Sequence, residues 1–294
     1  MFAEVNNNLI MAYTTMPGRY LITYVIVNDE SSVLIDPAKE LMDDVASILK
    51  IKNLKMEDIK GVLVTHGHGH HWSGISRLKA KAEIYVPPCE VFKDPRKAYE
   101  IYGFHATSSM APLKEYIEVR HGGKIKVGRE EFISFYTGGH SIDHYIYIHV
   151  GSGMLFAGSI VGEFVESHFK FFIDKSGSYE NRQKFFEAII GAKIFGICPG
   201  HTFPVHGDWK DYIRESYRCS KRVCEEVQDI AKKLKRFKIP DILKELQFRL
   251  GFTWSAAENT EAQLTTEAIL KYLTNSGLIK PISKSGKVVE WEIP

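Results

Sequence analysis

The sequence predicts a layered α/β protein. Short apolar, β-branched runs alternate with stretches of helical spacing through the first two-thirds of the chain. Three of those runs end in loops that carry glycine and histidine. The 294 residues, 44% hydrophobic and 25% charged, are enough for a large globular core.

Residues 9–13, 20–27 and 33–35 read as three strands, joined through Pro17-Gly18 and Asn28-Asp29. The third ends in Asp36-Pro37, where a carboxylate serves as a turn or helix cap or as a functional group. Leu41, Val45, Ile48 and Leu49 predict a helix over 39–50. Residues 61–64 form an apolar strand that runs into Thr65-His66-Gly67-His68-Gly69-His70-His71-Trp72-Ser73-Gly74. A short helix over 73–79 and a strand over 82–86 follow. Residues 91–104 read as a helix. Tyr99, Tyr102, Phe104 and His105 form an aromatic cluster there, read either as packing or as the wall of a substrate cleft. Strands at 124–127 and 131–136 precede the loop Thr137-Gly138-Gly139-His140-Ser141-Ile142-Asp143-His144. Then come strands at 145–150 and 154–157, the latter leading into Gly158-Ser159. An amphipathic helix over 179–190 and a strand over 193–197 end this part in Cys198-Pro199-Gly200-His201.

Four of the chain's twelve histidines fall within residues 66–71. Neutral imidazole is a common metal ligand, and the intervening glycines let the backbone turn two rings toward one ion. The bland readings are a polar loop with chance histidines or a purification tag. A tag belongs at a terminus, and chance does not favour such density at a strand end. His140 and His201, on the other two loops, join the candidates. Asp143 and His144 read either as packing groups or as groups that hold ligands in place, because ligating imidazoles need hydrogen-bonded partners.

From residue 209 the character changes. A long helix is predicted over 209–236, ending near the basic run Lys232-Lys233-Leu234-Lys235-Arg236-Phe237-Lys238. Pro240 opens a second helix over 241–250, and a third covers 261–274, closing at Asn275-Ser276-Gly277. Strands at 279–282 and 288–293 form a hairpin around Ser285-Gly286. The expected domains are 1–207 and 208–294.

Composition narrows the classes. A net charge of +2 gives no global pull on polyanions. Cys89, Cys198, Cys219 and Cys224 form no disulfide framework, so a reduced, cytoplasmic setting is expected. The first residues lack a signal-peptide pattern and no run has membrane-spanning length, so no membrane partner is expected.

Together these residues resemble the metallo-β-lactamase superfamily over residues 8–207. Asp36 matches its first aspartate, and His66, His68 and His71 match its H-x-H-x-D-H loop. His140 and His144 match the G-H-T loop and its second histidine, and His201 matches the last histidine. The resemblance implies a four-layer αββα sandwich with metals at one edge. It implies that His66, His68 and His140 bind one metal, and that His71 and His201 help to bind a second. Two departures stand out. His70 replaces the loop aspartate, and Ser159 replaces the aspartate that bridges both metals. The second site keeps His71 and His201, with His70 as a substitute ligand or, if it is no ligand, a catalytic proton acceptor. Asp36, His144 and Ser159 stand behind the ligands. Zn²⁺ is the expected cofactor, one ion or two, with Fe²⁺ and Ni²⁺ as alternatives.

The resemblance implies a metal-dependent hydrolase, with metal-bound hydroxide attacking an ester, thioester, lactone, amide or phosphodiester of a small-molecule substrate. The helices and hairpin of 208–294 look like a winged-helix module, as in the lactamase-β-like subgroup, some of whose members are endoribonucleases. RNA is therefore a second candidate partner. The third helix opposes that reading, since its charges are Glu261, Glu267 and Lys271. A catalytically decayed metal-binding or regulatory protein is a third reading, motivated by the two lost carboxylates. A homodimer is expected on general grounds.

Overall fold

The computed structural model describes residues 1–16, 19–78, 81–104, 110–161, 171–250, 256–284 and 286–294. The turn at Pro17-Gly18, His105 of the aromatic cluster and Ser285 of the hairpin lie outside the described residues. The chain divides into two compact units. The first comprises Met1–Thr137, Asp143–Val161 and Ala192–Lys210, and the second Gly138–Ile142, Gly162–Gly191 and Asp211–Pro294.

The first unit contains two mixed sheets. One has the order β1 (Phe2–Asn6), β2 (Leu9–Met16), β3 (Arg19–Val27), β4 (Ser32–Ile35), β5 (Ile59–Leu63), β6 (Glu83–Val86), β7 (Ile117–Glu118). The pairs from β1 to β4 are antiparallel and those from β4 to β7 parallel. The other sheet contains β8 (Gly123–Val127), β9 (Glu130–Tyr136), β10 (Tyr145–His149), β11 (Met154–Gly158), β12 (Gly196–Pro199) and β13 (Val205–His206), in the order β13-β12-β11-β10-β9-β8. Here β11 and β12 pair in parallel.

The strands of the first sheet read as unbroken apolar runs because both their faces are covered. Side chains alternate in direction along a strand. In β3, Leu21, Val25 and Val27 join Val45, Ile48 and Leu49 of α1 (Met42–Ile51) in one core. Ile22, Tyr24 and Ile26 point the other way and meet Phe132, Tyr147 and Phe156 of the second sheet. The expected α/β sandwich is therefore present.

Several expectations need correction. Residues 91–104 are not one helix. They form 3-10 turns at Glu90–Phe92 and Pro95–Lys97 and a short α2 (Ala98–Tyr102). Pro95 disfavours helix in the residue before it, and Asp94 instead caps the next turn by accepting from the Arg96 amide at 3.2 Å. The short helix expected over 73–79 is of the 3-10 type and spans Ser73–Arg77. The strand expected at 193–197 is β12, whose pairing with β11 starts only at Gly196, leaving Phe195 77% exposed. β1, β7 and β13 escaped notice because they are short or carry no apolar run.

In the second unit, α3 (Tyr179–Ile190) follows the cap of Ser178 on the Asn181 amide. α4 (Trp209–Leu234) enters the unit at Asp211 and stops at Lys235, whose φ is +62°. The basic run is therefore not all helical, because Arg236–Phe237 is β14. Next come α5 (Ile239–Leu250), α6 (Ala256–Asn275), β15 (Lys280–Lys284) and β16 (Lys287–Glu292). The expected hairpin is β15–β16, and β14 joins its other side in the order β14-β16-β15. Val227, Ile230, Phe237, Ile242, Leu246, Ile269 and Leu273 close the core of this unit. Among the described residues, no helix is long and apolar enough to cross a membrane.

Candidate metal centre

The centre is built on Asp36, just past β4. Its φ of +51° is a left-handed conformation, which aspartate tolerates better than most residues. The backbone is held on both sides. The Asp36 amide donates to the Leu63 carbonyl at 3.0 Å, and the Thr23 hydroxyl donates to the Asp36 carbonyl at 3.0 Å. The buried carboxylate accepts from the Thr65 amide at 2.8 Å, from the Thr65 hydroxyl at 2.7 Å and from His71 Nδ1 at 2.9 Å. It thereby ties the end of β4 to the loop after β5.

This network fixes histidine tautomers. His71 gives its Nδ1 proton to Asp36, so its lone pair lies on Nε2. Thr65 spends its hydroxyl proton on Asp36 and accepts from His66 Nδ1 at 3.0 Å, so the His66 lone pair is also on Nε2. His201 Nδ1 donates to the Tyr20 carbonyl at 2.8 Å, with the same result. In the second unit, His140 Nδ1 donates to the Phe172 carbonyl at 2.7 Å. Four histidines are thus set to present Nε2, as imidazoles behind a metal are set by carboxylate or carbonyl acceptors.

Ring nitrogens of His66 and His68 lie within 4.8 Å of each other, and so do those of His70, His71 and His201. His70 Nε2 stands 3.4 Å from His201 Nε2, and His71 Nε2 stands 3.2 Å from the Ser159 hydroxyl. Burial, then the charge of neighbouring histidines and of Arg19, holds His68, His70 and His201 well below the usual histidine range. These rings are neutral at neutral pH, which is the ligating form. Converging neutral imidazoles with preset tautomers fit a divalent cation of the zinc type better than a hard, oxygen-seeking ion.

The loops themselves are braced. His144 is engaged at both ring nitrogens. Its Nδ1 meets the Thr137 hydroxyl at 2.8 Å, and its Nε2 accepts the Ser159 amide at 3.2 Å. It therefore holds the Ser159 turn. Trp72 Nε1 donates to the Gly67 carbonyl at 3.0 Å. Gly67 has no room for a side chain. A Cβ there would stand 2.2 Å from the Tyr102 hydroxyl and 2.4 Å from a Val91 methyl. Gly67→Ala is expected to destabilise the protein by about 1–3 kcal/mol through overpacking, read as a lower thermal midpoint with Gly122→Ala as control. Gly122 has open space but a φ of +71°, a conformational cost that Gly67 does not share, so a fall in Gly67→Ala beyond that of Gly122→Ala reports overpacking.

The first unit thus holds His66, His68, His70, His71, His201, Asp36, His144 and Ser159, and His140 lies on the second unit's 138–142 segment. Sequence reasoning did not find the parts played by Thr65, Tyr20 and Tyr102. A threonine or tyrosine near a histidine is too common to carry a signal, and a backbone carbonyl carries none.

Histidine loops at strand ends, above two mixed sheets, define a metal-site α/β sandwich. The chain belongs to the metallo-beta-lactamase superfamily, whose family profile matches residues 22–215. A hydroxyacylglutathione hydrolase of Francisella tularensis subsp. novicida is 29% identical over 135 residues, covering 46% of this chain and 45% of its own. The lactamase-like protein nscB of Arthroderma benhamiae is 28% identical over 142 residues, covering 47% of this chain and 28% of its own. The chain thus spans less than half the length of these curated relatives. A metallo-beta-lactamase family protein from Thermus thermophilus shares the fold at a TM-score of 0.77 and 16% identity, over 99% of this chain and all (100%) of its own. A beta-lactamase domain protein from Burkholderia ambifaria does so at 0.73 and 15% identity, over 100% of this chain and 95% of its own.

Proposed function

We propose that this protein is a metal-dependent hydrolase of a small ester-like substrate, a thioester, ester or lactone. The observation that carries the reading is the group of three imidazoles, His70, His71 and His201, with ring nitrogens within 4.8 Å of one another. His66, His68 and His140 would hold a first cation, as the family pattern assigns them, and His70, His71 and His201 a second. A divalent cation in such a site polarises a carbonyl and acidifies water. The chain's own residues orient and neutralise. Asp36 and Tyr20 fix the His71 and His201 rings, and burial keeps His68, His70 and His201 unprotonated. We place His70 among the ligands rather than as a base, because its Nε2 faces that of His201 at 3.4 Å. A thioester substrate draws support from the relative named a hydroxyacylglutathione hydrolase.

RNA is the weaker reading. In the second unit Lys232 pairs with Asp229 and Lys233 with Glu245. Arg236 and Lys238 both pair with Glu290. These cations are already partnered, which opposes a phosphate-binding face. The helix–strand–helix–helix–hairpin order supports a winged-helix module of structural rather than RNA-reading role.

The test is elemental analysis of untagged protein, followed by a panel of esters, thioesters and phosphodiesters. Two ions per chain and thioester turnover are expected. His70→Asp combined with Ser159→Asp should tighten the second ion, because two carboxylates then offset its charge. A metal-loaded protein inert across the panel would remove the hydrolase reading.

A further inference from the structure

One buried pair behind the histidine loop has no part in the proposed chemistry. Tyr102 is the last residue of α2, and Asp143 precedes β10, 41 residues further on. Both are buried, at 0% and 3% exposure. One carboxylate oxygen, Asp143 Oδ2, accepts from the Tyr102 hydroxyl at 2.8 Å and from the Gly67 amide at 2.8 Å. Gly67 lies between His66 and His68, so the second of these bonds falls on the peptide that joins the two ligands.

The geometry closes around that peptide. The Gly67 amide is held by Asp143, and its carbonyl by Trp72 Nε1 at 3.0 Å. The Tyr102 ring stands edge-on to His68, with centroids 4.8 Å apart, and the Phe104 ring lies 4.9 Å from the same imidazole. A buried carboxylate is costly unless donors surround it. Here the donors include the histidine loop itself and a phenol from a separate segment. Pinning both ends of one residue's backbone leaves little freedom in the directions of the side chains that flank it.

We infer that Tyr102 and Asp143 form a positioning pair that sets the directions of His66 and His68 and thereby the affinity of the ion those residues hold. This rests on the metal-binding reading above. Tyr102 acts through Asp143, and Asp143 through the Gly67 amide, so neither touches substrate.

The test uses the full chain in two backgrounds. His201→Ala leaves the His66–His68 ion, and His66→Ala leaves the His70–His71–His201 ion. Tyr102→Phe is made in each, because it keeps the ring packing and removes only the hydroxyl. Zn²⁺ affinity is read by competition with a chromophoric chelator, and the Co²⁺ visible spectrum reports ligand geometry. The expected result is a loss of about 10-fold or more, the size typical of groups behind metal ligands, in the His201→Ala background only, with a shifted Co²⁺ spectrum there. Asp143→Asn should lose at least as much, and the two changes together no more than Asp143→Asn alone, as for residues acting in series. Equal losses in both backgrounds would mean general loosening and overturn the inference, as would unchanged affinity in both. A wild-type protein that takes up no Zn²⁺ overturns the metal reading itself, and the role of the pair with it.

Discussion

His71→Ala is expected to lower the proposed hydrolytic turnover by about a thousandfold, the equivalent of ~4 kcal/mol of transition-state stabilisation, which is within what a metal contributes to such reactions. Two consequences of one deletion combine. A nitrogen of the three-imidazole group is lost, and that group has no carboxylate to make up the affinity. The Asp36 carboxylate also loses one of its three donors while remaining buried. The variant should therefore bind less metal and also unfold at a lower temperature. Elemental analysis and thermal denaturation separate the two effects. His206→Ala, at an exposed histidine of β13, is the control and should leave both unchanged. Full turnover and full metal content in His71→Ala would refute the assignment of His71 as a ligand.

The larger effect on stability is expected from Asp36→Ala. Three donors converge on this carboxylate, from the Thr65 amide, the Thr65 hydroxyl and His71 Nδ1. Removing one partner from such a buried, charge-assisted network costs about 3–5 kcal/mol. The backbone adds to this, because alanine at a φ of +51° is strained where aspartate is tolerated. For a protein of this size the thermal midpoint should fall by roughly 10 °C. Metal affinity should fall as well, since His71 is no longer held in its Nε2-presenting form. Asp36→Asn separates the contributions. It tolerates the same φ and keeps an oxygen for the Thr65 amide, but it turns a donor toward the Thr65 hydroxyl and His71. It should recover part of the stability and little of the metal affinity. An Asp36→Ala protein as stable as wild type would show that the carboxylate is not the tie between β4 and the histidine loop.

The legible parts of this protein were those in which the information is local. Apolar runs fixed most strands, because a strand buried on both faces must be apolar throughout. β2, β3, β4 and β5 all lie close to the expected ranges. The dense histidine loop and the two single histidines after later strands pointed to the candidate ligands, because a metal site needs donor types that are rare elsewhere. Where the local signal misled, a competing local rule or a neighbour was responsible. Pro95 broke the helix expected over 91–104, and the paired start of β12 at Gly196 set a boundary that Phe195, as an apolar residue, obscured.

Residue order was enough to establish the layered class, the strand-end loops and the identity of the imidazoles. How those imidazoles are used was settled only by folding. The tautomers of His66, His71 and His201 depend on Thr65, Asp36 and the Tyr20 carbonyl. The engagement of both His144 nitrogens depends on Thr137 and the Ser159 amide. Lys232, Lys233, Arg236 and Lys238 of the basic run are partnered by acidic residues as distant as Glu290. Each of these is a hydrogen bond or ion pair that residue spacing does not specify, most of them between residues far apart in the chain or with the backbone. Residue type gives the capacity for such a bond, and only the folded chain selects the partner.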